Sequence, residues 1–314
     1  MHRIARTISV AALALAASAT HAAGPAPQCD RACLTGFMDS YFKALAAHDA
    51  SQLPLLPDAR YTENGQVLAT SDGLWRTASG LPPYRIDIPD VAEGTIAMIG
   101  LIEENSNYNH ISVRLKVEKG RHVSEIEVVI GRNTMSGNLS IPETLRQPHP
   151  AFLEKVPENR RLSRAELVEI ADSYFTGLDT EESGRDVPFD PRCQRKENGR
   201  IMTGLTNPDA SEMMKLGCKE QFDTGFSVVV TDVRGRRYVA VDPEYGNVFA
   251  FVFFDHNGTV DSYIHPDGKP RQFAPSIRQP STLMIGEVFK IEDGKIRQIE
   301  AVLASVPYKM TAGW

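Results

Sequence analysis

Three short segments of this chain occur twice, in the same order. Asp39-Ser40-Tyr41-Phe42-Lys43-Ala44-Leu45 returns later as Asp172-Ser173-Tyr174-Phe175-Thr176-Gly177-Leu178. Glu63-Asn64-Gly65 returns as Glu197-Asn198-Gly199 at nearly the same offset, and Lys116-Val117-Glu118-Lys119-Gly120-Arg121 returns at a larger one as Lys290-Ile291-Glu292-Asp293-Gly294-Lys295. One domain plan is therefore used twice, with about 40 residues inserted late in the second copy. A length of 314 residues is long for one core and comfortable for two.

Each copy opens with a helical pattern. Leu34, Phe37, Met38, Tyr41, Phe42 and Leu45 recur at three- and four-residue spacing, as do Leu167, Ile170, Ala171, Tyr174, Phe175 and Leu178. Ser163 with Glu166 forms a capping-box start for the second helix. Next come hairpins over 60–68 and 194–202, each turning on Asn-Gly, the strongest short hairpin signal. A shorter helix follows, at Leu74-Trp75 and at 210–216. Long strands are then expected at 84–91, 95–104, 109–117 and 122–130, and again at 238–241, 248–254, 284–291 and 296–303. The run Val248-Phe249-Ala250-Phe251-Val252-Phe253-Phe254 reads as a strand buried on both faces, at a domain contact. Helix, hairpin, helix and strand meander make an α+β fold: two tandem cone-shaped domains, each a curved, mostly antiparallel sheet wrapped around its long first helix.

This order resembles the nuclear transport factor two-like, or SnoaL-like, superfamily. Phe289-Lys290-Ile291-Glu292-Asp293-Gly294-Lys295-Ile296, followed by Ile299-Glu300-Ala301, is similar to its last hairpin. Cys29-Asp30-Arg31-Ala32-Cys33, Tyr61-Thr62-Glu63-Asn64-Gly65-Gln66 and Gly73-Leu74-Trp75 look like a secreted tandem family of fungi and bacteria with no settled function. The resemblance implies a pocket between each long helix and the concave sheet face. The superfamily hosts dehydratases, isomerases, cyclases, hydrolases and structural modules, so the fold alone does not select a reaction.

The expected boundaries are 1–22 for a leader, 28–132 for the first domain, 133–161 for a Pro-rich linker packed along both domains, and 162–314 for the second. The excursion at 256–282 reads as a lid, binding loop or interface arm. Arg3 and Arg6, the apolar stretch 8–17 and small residues up to Ala22 read as a cleavable secretory signal, too short to span a bilayer. The destination expected is periplasmic or secreted, with no membrane attachment after cleavage. Net charge is −6, or −8 once Arg3 and Arg6 leave with the leader, which disfavours nucleic acid as a partner. Four cysteines fit an oxidising compartment and allow three full pairings; Cys29–Cys33 and Cys193–Cys218 are favoured because each stays within one repeat. No Cys or His grouping has the close spacing of a zinc site, and no nucleotide-loop or hydrolase motif occurs. Neither metal nor cofactor is expected. The partners expected are a small molecule and, through the sheet of such a fold, a second copy in a homodimer.

Alternation along the first hairpin strand puts Tyr61 and Glu63 on one face, and Arg195 with Glu197 at the matching positions. A partly desolvated carboxylate with a nearby donor suits proton transfer beside a carbonyl. The expected catalytic groups are therefore Glu63, Tyr61, His110, Glu197, Asp255 and His256. Tyr41, Trp75, Tyr174, Arg195, Arg237 and Glu287 are expected to contact substrate. The competing reading of Glu-Asn-Gly is a turn that needs Asn-Gly, and of Tyr41 and Tyr174, core residues with a polar tip. The activity expected is that of an exported lyase or isomerase on a small organic molecule; the alternative is a binding or dimerisation module of the same fold.

Overall fold

A computed structural model describes residues 29–81, 84–105, 107–119, 121–132, 145–179, 187–265, 267–275 and 277–314. The leader expected over 1–22 and most of the linker's first part lie outside these residues. The chain runs α1 (Arg31–Ala46), β1 (Leu55–Glu63), β2 (Gln66–Leu68), α2 (Leu74–Thr77), β3 (Ala78–Gly80), β4 (Arg85–Asp90), β5 (Thr95–Glu104), β6 (Asn107–Glu118) and β7 (His122–Gly131). It continues through α3 (Arg164–Asp179), β8 (Phe189–Glu197), β9 (Arg200–Ile201), α4 (Glu212–Lys215), α5 (Cys218–Phe222), β10 (Asp232–Asp242), β11 (Asn247–His256), β12 (Ser262–Ile264), β13 (Pro270–Gln272), β14 (Ser281–Glu292) and β15 (Lys295–Val306).

The fold is α+β, dominated by sheet. The first sheet has the order β2-β1-β7-β6-β5-β3, with β4 also on β5; the second has the order β10-β11-β14-β15-β8-β9. In both, the hairpin strand returns parallel to the last strand, β1 on β7 and β8 on β15, and the other pairings are antiparallel. The two opening helices are each 16 residues long. Asp30 caps α1 by accepting from the Cys33 N–H at 2.9 Å. The Ser163–Glu166 capping box forms: the Ser163 N–H donates to Glu166 at 2.8 Å and the Glu166 N–H to Ser163 Oγ at 3.3 Å. Leu34, Met38, Tyr41, Phe42 and Leu45 of α1 pack on the inner sheet face of Ile96, Met98, Ile111, Val113, Ile126 and Val128. Leu167, Ala171, Tyr174, Phe175 and Leu178 of α3 do the same on Val248, Ala250, Ile285, Phe289 and Ile299.

The outer faces of the two sheets pack on each other. Ile86, Ile88, Ala97, Ile99 and Val129 meet Phe249, Phe251, Phe253, Val288 and Val302 in one cluster. This explains the continuous apolar run of β11: its even-numbered members lie in the second core and its odd-numbered phenylalanines in the contact between sheets. The sheet face that the sequence reading offers to a homodimer is covered by the chain's own other sheet. A Cβ on Gly286 would lie 2.1 Å from Ser112 Oγ and 2.8 Å from Ser112 Cβ, so the Ser112 side chain occupies the space a larger residue would need there. Polar contacts cross the same boundary. Glu127, fully buried, receives Arg237 Nη1 at 3.1 Å and Arg114 Nε at 3.2 Å. Tyr84 donates to Glu300 at 2.8 Å, and Arg31 meets Asp242 at 2.6 Å.

Both favoured disulfides are formed, Cys29–Cys33 and Cys193–Cys218. The second closes a loop of 25 residues, which stabilises by roughly 3 kcal/mol on the chain-entropy estimate. Among the described residues no helix is long and apolar enough to cross a membrane. Of the linker, Leu145 and Phe152 are buried in the contact between the sheets. Several elements depart from the sequence reading: β1 and β8 begin at Leu55 and Phe189, ahead of 60 and 194, and helix α5 was not expected. Strand β10 begins at Asp232, ahead of the expected start at Tyr238, because Arg234, Arg236 and Arg237 on it are ion-paired. Strand β3 was not expected. The excursion at 256–282 carries its own hairpin, β12–β13, whose Tyr263 and Phe273 stack on Phe226 at 5.6 and 5.2 Å.

Removing the carboxylate of Glu127 leaves Arg237 unpaired at the sheet contact. Glu127→Ala is expected to destabilise the chain by about 3 kcal/mol, the low end for a broken buried pair because Arg114 keeps Glu125 at 2.5 Å. Urea unfolding measures it.

Candidate functional site

The Asn-Gly turns are alike in both halves. Asn64 and Gly65 have φ of 46° and 78°, and Asn198 and Gly199 have 41° and 75°, the left-handed pair of a tight hairpin. Each Asn side chain then extends the neighbouring strand. Asn64 accepts from the Ile130 N–H at 2.8 Å and donates to its carbonyl at 3.0 Å; Asn198 does so with Leu303 at 2.9 and 3.1 Å. The recurrence of Glu-Asn-Gly thus has a structural cause in its Asn and Gly.

Glu63 and Tyr61 point inward together, as alternation predicts. Glu63 is buried and well partnered: Tyr61 donates to it at 2.7 Å, the Leu74 N–H at 2.8 Å, and Arg132 lies at 2.8 Å. Arg132 also pairs with Glu104 at 2.7 Å. The carboxylate oxygens of Glu63 are thus engaged by three donors from its own half. Arg132 comes just after β7, at the far end of the first repeat from Glu63, and carries no local sequence signal. Tyr41 and Trp75 stack edge to face at 5.6 Å, both buried, with Tyr41 Oη and Trp75 Nε1 making no hydrogen bond.

Several expected groups lie elsewhere. His110 shares the outer face of β6 with Ser112 and sits against the Gly199 turn of the second sheet, across β6 from the inward face that Glu63 occupies. Burial lowers its pKa to about 4, so it is neutral. Asp255 and His256 are consecutive strand residues and face opposite ways. Asp255 is buried under Arg234 at 2.7 Å, Lys309 at 2.9 Å and Thr282; burial works against its charge, but these hydrogen bonds outweigh it and hold its carboxyl below the ordinary value. Burial lowers the pKa of half-buried His256. Arg237 is spent on Glu127 between the sheets. The structure thus places His110 and Arg237 at the contact between the sheets and does not bring Asp255 and His256 to face each other.

The second interior differs from the first. Arg195 stands where the first half has Tyr61, and Glu287 where it has Val113. Arg195 Nη1 donates to Tyr174 Oη at 3.2 Å, Nη2 to Gln221 Oε1 at 2.7 Å, and Nε lies 3.3 Å from Glu197. Glu287 is on the inward face with Ala301, Ala250 and Phe289, only 2% exposed, and its Oε2 has no partner. Burial first, then the charge of Glu197, push its carboxyl up to about 8 against the pull of Arg195. Tyr174 accepts from Arg195, so its own hydroxyl proton is free to donate; burial raises its pKa, and it stays protonated. The site therefore combines an acid that is neutral at pH 7, a phenol donor and a half-buried carboxylate paired with a guanidinium. Among the described residues no group of three or more His, Cys, Asp or Glu side chains is placed to hold a metal ion.

Glu287 has a consequence for stability. An unfolded Glu ionises near about 4.3. Between that value and about 8 the folded chain keeps a proton that the unfolded chain releases. Stability thus falls as pH rises through this window, by roughly 1 kcal/mol per pH unit, and the loss is complete above it. Glu287→Gln is expected to remove that slope and to be more stable than the parent at pH 8 but not at pH 4, as urea titrations at both pH values will measure.

The comparisons place the chain in a family. A solved structure, AclR of Streptomyces galilaeus, a proposed hydroxylase, aligns at 15% identity over 45% of this chain and 91% of its own, with a TM-score of 0.28. No curated protein matches significantly. The family described as Domain of unknown function (DUF8021) matches residues 27–130 and 160–303, one segment over each sheet. With most of its length in those two segments, the chain belongs to the DUF8021 family.

Proposed function

We propose that this protein is an exported, cofactor-independent enzyme of the lyase or isomerase type, whose reaction is proton transfer beside a carbonyl in the interior of the second half. The observation that carries the reading is Glu287, a buried carboxyl that remains protonated at neutral pH and has an unpartnered oxygen. A neutral carboxylic acid donates a hydrogen bond to a carbonyl oxygen as negative charge develops there, and the Tyr174 hydroxyl supplies a second. Glu197 takes the proton from the adjacent carbon, its charge held by Arg195 at 3.3 Å. Arg195 also fixes the direction of the Tyr174 proton by occupying its lone pair. The resemblance to the SnoaL-like superfamily, with its pocket between helix and sheet, supports the same location. Two disulfides support the oxidising destination, in agreement with the leader read from the sequence over 1–22.

The first half serves in this reading as a folded scaffold, supported by the three donors on Glu63. The test begins with thermal shift against small ketones and hydroxy-ketones, since a ligand stabilises by mass action whatever its chemistry. On a substrate found this way, kcat is expected to fall as pH rises through about 8, where Glu287 loses its proton. Glu287→Gln keeps an N–H donor and is expected to lose that alkaline fall. Glu287→Leu is expected to lower kcat by roughly 10²-fold, and Glu197→Gln to abolish turnover. Full activity in Glu197→Gln and Glu287→Leu, or its loss in Glu63→Gln with the fold intact, would sink the assignment.

A further inference from the structure

A short excursion of the chain lies beside the second hairpin. Residues 204–216 leave after β9 and return before α5, with their ends tied: the Gly204 N–H donates to Leu216 O at 2.8 Å and the Leu205 N–H to Met214 O at 2.9 Å. Most of the segment is exposed or half-exposed, and Met214 is its one buried residue. Gly204 has φ +66°, a conformation that favours glycine, with no atom within 4 Å of where a Cβ would stand. Between the excursion and the β8–β9 hairpin lies an open groove of about 350 Å³, lined by Gly199, Arg200 and Ile201 on one side and Leu205, Ser211 and Met214 on the other. In the register of that hairpin, Arg200 is paired with Glu197, so the groove opens beside the site's own strand.

Gln221 joins the two. Its carbonyl accepts from Arg195 Nη2 at 2.7 Å, while its two N–H groups donate to Met202 O at 2.5 Å and Met213 O at 2.7 Å. One buried amide thus holds the guanidinium of the site and both flanks of the excursion, with every donor used. The disulfide fixes its position, since Cys218 lies one helical turn before Gln221 and its partner Cys193 shares strand β8 with Arg195. We propose that residues 204–216 are a gate over the Tyr174–Arg195–Glu197–Glu287 site, that Gln221 is its latch, and that the groove is where a small organic molecule passes in. Closed, the gate holds Gln221 against Arg195; open, it breaks the Gln221 bond to Met213 O and the Gly204 and Leu205 ties at its base, and lets water reach the cluster. The proposal rests on reading that cluster as the ligand site.

Hydrogen exchange on the full chain tests it without a ligand. In the unaltered protein the Gly204 and Leu205 amides are expected to exchange roughly 100-fold faster, or more, than those of Ile285 and Phe289 in β14, with no dependence on low urea, as for a local opening. Gln221→Leu is expected to speed Gly204 and Leu205 about a further tenfold and leave β14 unchanged. In the same variant the infrared carboxyl band that Glu287→Gln removes is expected to titrate lower than in the parent, because water reaches the site. Exchange of Gly204 and Leu205 at the β14 rate, or an unchanged rate and carboxyl titration in Gln221→Leu, would overturn the gate. Should Gln221→Leu not fold, the unaltered chain decides by the first comparison alone. These readouts do not involve turnover, so an inactive gate and a wrong reaction fail separately.

Discussion

The two sheets lie back to back, and the rest of the molecule is arranged around that contact. Phe249, Phe251 and Phe253 need an apolar surface on the far side of β11, and the outer face of β4, β5 and β7 supplies it. At Gly286 the Ser112 side chain of the first sheet fills the place of the missing side chain. Around the apolar centre, Glu127, Glu300 and Asp242 each receive a cation or hydroxyl from the opposite half, so that burial does not leave charge unpaired. The carboxy-terminal tail reinforces the contact: Arg60 donates to Gly313 O, and Trp314 lies within 5.1 and 5.2 Å of the Arg60 and Arg114 guanidinium carbons. Both outer faces are consumed in this way, and each inner face is packed under its own helix.

Duplication followed by divergence is visible inside those interiors. The turn chemistry is shared, because each Asn must pair with the end of the last strand. The side chains under the helical tyrosine are not shared. Around Tyr41 the carboxylate of Glu63 is held by a phenol, a backbone N–H and a guanidinium. Around Tyr174 the exchange of Tyr61 for Arg195 and of Val113 for Glu287 brings a cation and two carboxyls into one core, and one carboxyl lacks a partner. An unsatisfied buried carboxyl opposes stability and is kept neutral by its surroundings. Such a feature runs against packing, and at Glu287 it arises from a residue in which the two halves differ.

Much of this was legible in the residues. The spacing of Leu34 to Leu45 and of Leu167 to Leu178 shows both helices, and Asn-Gly shows both hairpins. The unbroken apolar run of β11 shows a strand with no wet face. Alternation also placed Tyr61 with Glu63 and Arg195 with Glu197. It equally separates Asp255 from His256, which adjacency in sequence had suggested as a pair. His110 needed one further fact, the face of β6 that meets α1, and no local pattern distinguishes it, because β6 is buried on both sides.

By itself, the sequence determined the repeated plan, the elements and their turns, and the two local disulfides, since each depends on residues a few positions apart or on a period. Tertiary structure alone decided which carboxylates are satisfied. Arg132 reaches Glu63 from beyond the last strand of its sheet, Arg237 crosses from the second sheet to Glu127, and Glu287 feels the charges of Glu197 and Arg195 within one core. The proton affinity of a buried acid depends on desolvation and on the charges around it, and those are properties of the packed interior, not of the chain's order.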